Sequence, residues 1–192
     1  MTEKYKNKYR VPSARLDSYD YASPGDYFIT ICVDNHRSVF GELTAGTMRL
    51  NALGAIASKF WAEIPLHYPN MSVDEYIIMP DHMHGLLSLD HLVDDPRSDL
   101  VRSGILRPRG AALDTRMRAI SPLAGGIPAA VRSYKSAVKK WAGKNGYGHF
   151  AWQERYWDSV IRDDQDGLQR VRNYIRNNPR KAHTVDVNGD DT

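Results

Sequence analysis

Pro80 is the residue that most constrains what this chain can fold into. It falls between two runs of strand character, Val73 to Ile78 and His82 to Leu89. Proline has no N–H for a ladder, so Met79-Pro80-Asp81 reads as a turn between two strands, or else the run lies at a sheet edge. A third run, Tyr27 to Val33, is rich in β-branched and aromatic residues and also predicts a strand, after the turn signal Ser23-Pro24-Gly25-Asp26. Val39 to Leu43 and Thr47 to Leu50 read as a short hairpin.

Helices fall between these strands. Leu53, Ile56, Ala57, Phe60, Trp61 and Ile64 recur at helical spacing, with Asn51 as N-cap and Pro65 as a stop. Ile127 to Ala142 repeats the pattern, with Val131, Tyr134, Val138 and Trp141 on one stripe and Arg132, Lys135, Lys139 and Lys140 opposite. A short strand follows at Trp157 to Ile161. The last helix runs from about Gln165, capped by Asp163 or Asp164, and is expected to end at Pro179. Strand–helix–strand followed by helix–strand–helix predicts an α+β fold, most simply a ferredoxin-like antiparallel sheet with helices on one face.

The chain divides into three parts. Residues 1–22 are a polar, basic arm. Residues 23–183 form one domain, interrupted at about 90–126 by a Pro-, Gly- and Arg-rich insert of the kind that makes a mobile loop. Residues 184–192 are an acidic tail. The hydrophobic fraction of 42% excludes a wholly disordered chain. A single cysteine, Cys32, excludes an internal disulfide and a thiolate zinc site. The N-terminus has no apolar signal segment, and no apolar run is long enough to span a membrane, so a cytoplasmic bacterial protein is expected.

The net charge is only +3, but it is unevenly spread. Residues 1–15 carry five basic side chains against Glu3 alone, and residues 131–180 carry eleven against five acids. Two basic zones suggest a polyanionic partner. Lys135 and Arg162, in the second zone, are candidate contacts for it.

His82-Met83-His84 carries the sharpest chemistry. On a strand, residues i and i+2 share a face, so both imidazoles project together while Met83 turns to the core. Gly85 is expected to leave space beside the pair. Two imidazoles can share one divalent metal, although two unrelated surface histidines would give the same pattern. In the last helix Tyr174 and Asn178 stand at i and i+4 beside the apolar stripe of Leu168, Val171 and Ile175. If that face covers the histidines, Asn178 is a third ligand and Tyr174 reaches the same phosphate. Asn178 before Pro179 also suits a helix C-cap. A phenol of pKa about 10 is a poor nucleophile at neutral pH, so it needs a polarised phosphate held in line. A His/His/amide site on Mg²⁺ or Mn²⁺ leaves open positions for that purpose.

These segments resemble a known family. IIMPDHMHGLL is similar to the strand bearing the histidine–hydrophobic–histidine (HUH) motif of single-tyrosine transposases. WQERYWDSVIRDD with YIRNNPRKA resembles the C-terminal signature of REP-associated tyrosine transposases, and RVPSARLDSYDYASPGDYFITICVDNHRSVFGEL their arm and first strand. The resemblance covers about residues 9–89 and 127–183. It implies a ferredoxin-like nuclease fold, metal-binding His82 and His84, Asn178 completing the metal site, and Tyr174 as the nucleophile that forms a 5′-phosphotyrosine. It also implies an arm, with Arg10 and Arg15, that reads the foot of a DNA hairpin. Asp81 departs from the family's usual asparagine, and Ser159 from a common histidine.

The expected activity is metal-dependent nicking and strand transfer on single-stranded or hairpin (palindromic) DNA, by a monomer or homodimer. The alternative is a domesticated hairpin-binding protein that no longer transposes. A metal-binding protein unrelated to DNA would explain the histidines, but not the basic zones or the Tyr174/Asn178 pair.

Overall fold

A computed structural model of the chain describes residues 23–90, 126–161 and 165–187, with side chains of the last stretch from 166 to 179. It also describes the backbone of two short paired strands, β1 (Lys4–Tyr5) and β2 (Lys8–Tyr9). Arg10, Arg15, Arg162, the capping residues Asp163 and Asp164, nearly all of the 90–126 insert and most of the acidic tail lie outside the described residues.

The three strand-patterned runs become β3 (Gly25–Cys32), β6 (Met71–Ile78) and β7 (His82–Leu89). Pro80 sits in the tight connection between the last two, where the Met79 N–H donates to the His82 carbonyl. With β8 (Trp157–Ile161), they form a four-stranded sheet in the order β6-β7-β3-β8, every neighbouring pair antiparallel. This is the ferredoxin-like order. The hairpin of β4 (Gly41–Thr44) and β5 (Thr47–Leu50) stands outside this sheet.

Side-chain alternation sorts the sheet into two faces. Tyr27, Ile29 and Ile31 of β3 and Met83, Leu87 and Leu89 of β7 turn to one side, into a single buried cluster. Helix α1 (Ala52–Ala62) adds Leu53, Ala57 and Trp61 to that cluster, and α3 (Ile127–Lys144) adds Ile127, Val131, Tyr134 and Val138. Asn51 caps α1 as expected, its side chain accepting from the Gly54 N–H at 3.0 Å. Pro65 does not end helical structure. It lies in the first turn of a short second helix, α2 (Ile64–His67), a position where a missing N–H costs nothing.

The opposite face is crossed by α4 (Gln165–Val187). Here the expectation from Pro179 fails, because α4 continues through it to Val187. Proline removes one N–H and crowds the preceding turn, which strains a helix without always terminating it. Asn178 is therefore inside the helix and is not a C-cap. Among the described residues no helix is long and apolar enough to cross a membrane.

Gly85 also differs from expectation. A Cβ at this position would come within 2.3 Å of the Trp61 indole, so its space belongs to the core face and not to the histidines. The Gly85→Ala variant is expected to lose about 1–3 kcal/mol through overpacking, seen as a lower denaturation midpoint. Gly143→Ala on α3 is the contrasting case, since a Cβ there meets nothing within 4 Å. It should gain up to about 1 kcal/mol of helix stability in the same assay.

Candidate active site

His82 and His84 lie at the start of β7 on the α4 side, their ring centroids 4.7 Å apart. The register pairs His84 with Thr30 and His82 with Cys32 of β3. Directly paired residues share a face, so the Thr30 hydroxyl meets the His84 ring, and Oγ1 and Nδ1 share a hydrogen bond at 2.8 Å. Phe28, two residues from Thr30 and on the same face, stacks on the His84 imidazole at 5.3 Å between centroids. His84 is thereby fixed from two sides and almost fully buried.

His82 is held by its chain neighbour. Its Nδ1 donates to Asp81 Oδ1 at 2.6 Å, because an ionised carboxylate can only accept. The other carboxylate oxygen accepts from His36 Nδ1 at 3.2 Å, and Gln153 Nε2 donates to His36 Nε2 at 3.1 Å. Asn35 and His36 both adopt positive φ, 56° and 49°, in the turn that presents this imidazole. Burial pushes the Asp81 carboxyl up, but the hydrogen bond and charge of His82 and the bond from His36 outweigh it. The net result lies below the usual carboxylate range. Asp81 therefore orients His82 through Nδ1. Its place beside the histidines was legible in the sequence, but this orienting bond was not.

With Nδ1 of each ring engaged, Nε2 is the nitrogen left to face the site. Imidazoles that bind metal commonly have this arrangement, a carboxylate or hydroxyl on one nitrogen and the metal on the other. Among the described residues no three or more His, Cys, Asp or Glu side chains are arranged so that they could hold a metal ion between them. A metal at this pair must therefore complete its shell with amide, water or phosphate oxygens. Asn178, buried one turn beyond Tyr174 on α4, is the amide on the same helix flank. The donor set of two imidazoles and an amide fits a divalent cation with open positions.

The Tyr174 hydroxyl lies 3.4 Å from His84 Nε2, and its ring meets Phe28 edge-on at 5.9 Å between centroids. Tyr174 is 40% exposed, so it is no core aromatic: it borders the histidines and still faces solvent. The final helix thus lies over the histidine strand, as the sequence reading required, and here it is the strand of its own chain, a point that reading left open. Ile175 anchors it and is fully buried. Phe28 and Thr30 were missed by the sequence reading, since only the β3–β7 register shows that they border the site.

Lys135 is not brought to this site. It belongs to α3 on the opposite face, and its ammonium donates to the carbonyls of Gln153 at 2.5 Å and Glu154 at 3.2 Å. Burial holds that ammonium below the usual lysine range. Lys139 likewise donates to the Phe150 carbonyl. Ser159 is exposed on β8, opposite Phe28 in the register.

Burial, and next the charge of His82, push His84 down to about 4 against an opposing pull from Asp81. The unfolded chain therefore binds a proton near pH 6.5 that the folded chain refuses until about pH 4. Stability of the metal-free protein should fall across that window by roughly 3 kcal/mol and then level off for this group. Denaturant midpoints at pH 7, 5.5 and 4.5 measure the slope, and His84→Gln should flatten it.

No protein-family model matches the chain. A Haemophilus influenzae protein, itself uncharacterised, is 36% identical over 180 residues, spanning 93% of this chain and 94% of its own. Among solved structures, a REP-associated tyrosine transposase bound to a REP hairpin superimposes with a TM-score of 0.52 at 17% identity, covering 88% of this chain and 74% of the other. A proposed transposase of Deinococcus radiodurans covers 86% of this chain and 97% of its own at 13% identity, but its TM-score of 0.39 is too low to argue from. The chain thus belongs to one family with the Haemophilus influenzae protein, and its fold is that of a REP-associated tyrosine transposase.

Proposed function

We propose that this protein is a metal-dependent DNA nicking and strand-transfer enzyme of the transposase type, acting on single-stranded or hairpin DNA through Tyr174. The observation that carries the reading is the hydroxyl of a part-exposed Tyr174 lying 3.4 Å from Nε2 of a histidine whose other nitrogen is already held. The hairpin DNA bound by the structural neighbour supports the choice of substrate.

The chain's own groups divide the work. Asp81 and Thr30 fix the two imidazoles, and Phe28 backs both His84 and the tyrosine ring. His82 and His84, through Nε2, with Asn178 would hold a divalent cation, Mg²⁺ or Mn²⁺, whose contribution is to polarise the phosphoryl oxygens. Tyr174 loses its phenolic proton to solvent and its oxygen attacks phosphorus. A P–O bond forms to the tyrosine as the P–O3′ bond breaks, and the departing 3′-oxygen takes a proton. One phosphodiester replaces another, so the product is a 5′-phosphotyrosine and a free 3′-hydroxyl, and a 3′-hydroxyl can reverse the step. Arg10 and Arg15 in the arm are the proposed readers of the hairpin foot, and Arg162 a further DNA contact.

Tyr174→Phe should abolish the covalent product on a denaturing gel of labelled hairpin DNA while leaving hairpin affinity nearly unchanged. A DNA adduct on the Phe variant would refute the nucleophile, and full cutting in EDTA would refute the metal. Wild-type binding without any covalent product would favour the hairpin-binding alternative. Asp81→Ala should weaken Mn²⁺ binding about 10- to 100-fold in a calorimetric titration, because His82 loses its orienting partner. An unchanged affinity would remove Asp81 from the site.

A further inference from the structure

The flank of α4 opposite Tyr174 is pinned to the sheet edge by two ion pairs that the proposed chemistry does not use. Arg172 donates through Nε and Nη2 to Asp74 Oδ2, at 2.8 and 2.5 Å. Arg176 donates through Nε, at 2.8 Å, and Nη2 to Glu75 Oε1. Asp74 and Glu75 are consecutive on β6, and in a regular strand they would point to opposite faces. They do not, because β6 bulges there: Val73 pairs with Leu87 and Tyr76 with Gly85, so both acids stand against Leu86 alone. The bulge turns two successive carboxylates toward one helix.

The spacing on α4 gives these pairs a lever. At about 100° per residue, Arg172 and Arg176 lie roughly 40° apart around the helix, and Tyr174 lies roughly 160° or more from either. Ile175, fully buried, falls between the two flanks as the pivot. Holding the arginine flank against the edge strand fixes the roll of α4, and the roll decides whether the Tyr174 hydroxyl meets His84.

We propose that Asp74, Glu75, Arg172 and Arg176 form a two-pin clamp, seated on the β6 bulge, that positions Tyr174 over the histidines of its own chain. The clamp rests on the reading of Tyr174 as the nucleophile. The four are positioning residues, since their charged groups pair with one another across the seam between α4 and β6.

The test removes the acids and keeps the arginines, so that phosphate binding by Arg172 or Arg176 is not lost with the clamp. In single-turnover reactions on hairpin DNA with saturating protein, Asp74→Asn with Glu75→Gln should slow adduct formation about tenfold or more while hairpin Kd stays unchanged or tightens. The swapped pair Glu75→Arg with Arg176→Glu should recover much of the rate lost by Glu75→Arg alone. Mixing Tyr174→Phe protein with His84→Ala protein should give no adduct, because each chain presents its tyrosine to its own histidines. Full-rate adduct formation by the Asn/Gln variant, or adduct restored by mixing, overturns the clamp and leaves the nucleophile standing. No adduct from the wild-type protein overturns the nucleophile reading, and the clamp's role with it.

Discussion

The antiparallel pairing of β7 with β3 is the constraint on which the rest depends. β7 is an interior strand of the sheet, and it is buried on both sides. Met83, Gly85 and Leu87 meet α1 and the core, with the Trp61 indole filling the space over Gly85. His82, His84 and Leu86 meet the other layer. A one-residue slip would exchange the faces, driving imidazoles into the apolar cluster and presenting Met83 to α4. The same register that protects the core therefore delivers Thr30 and Phe28 to His84.

A polar site on a buried face is costly unless its groups are satisfied. Here each imidazole is given a fixed partner for Nδ1, Asp81 for His82 and Thr30 for His84. The cost shows in His84, which stays neutral to about pH 4 and so keeps the form in which an imidazole can bind a metal. Tyr174 is treated differently, left 40% exposed at the margin where a strand of nucleic acid could approach it.

Much of this arrangement was legible in the sequence because it is local. Period two places His82 with His84, and period 3.6 places Tyr174 with Asn178. Asn51 announced a cap, and Pro80 a turn. What was not legible depends on pairing between distant segments. Thr30 and Phe28 enter only through the β3–β7 register, and His36 and Gln153 only through the turn and bridge that bring His36 to Asp81 and Gln153 to His36. Local rules also misled where tertiary packing prevailed. Pro179 lies inside a helix that continues past it, Pro65 opens a short helix, and Gly85 makes room for tryptophan, not for a ligand. The paired carboxylates Asp74 and Glu75 look like an ordinary solvated face until the bulge directs both at α4.

Covalent joining of Tyr174 to DNA can be read at the atom concerned. The full-length protein is incubated with hairpin DNA and Mg²⁺, treated with nuclease and trypsin, and analysed by mass spectrometry. A 5′-phosphonucleotide is expected on the peptide Asn173–Arg176, lost when EDTA replaces Mg²⁺. A nucleotide carried by a different tyrosine, or cleaved DNA with no modified peptide, would contradict it.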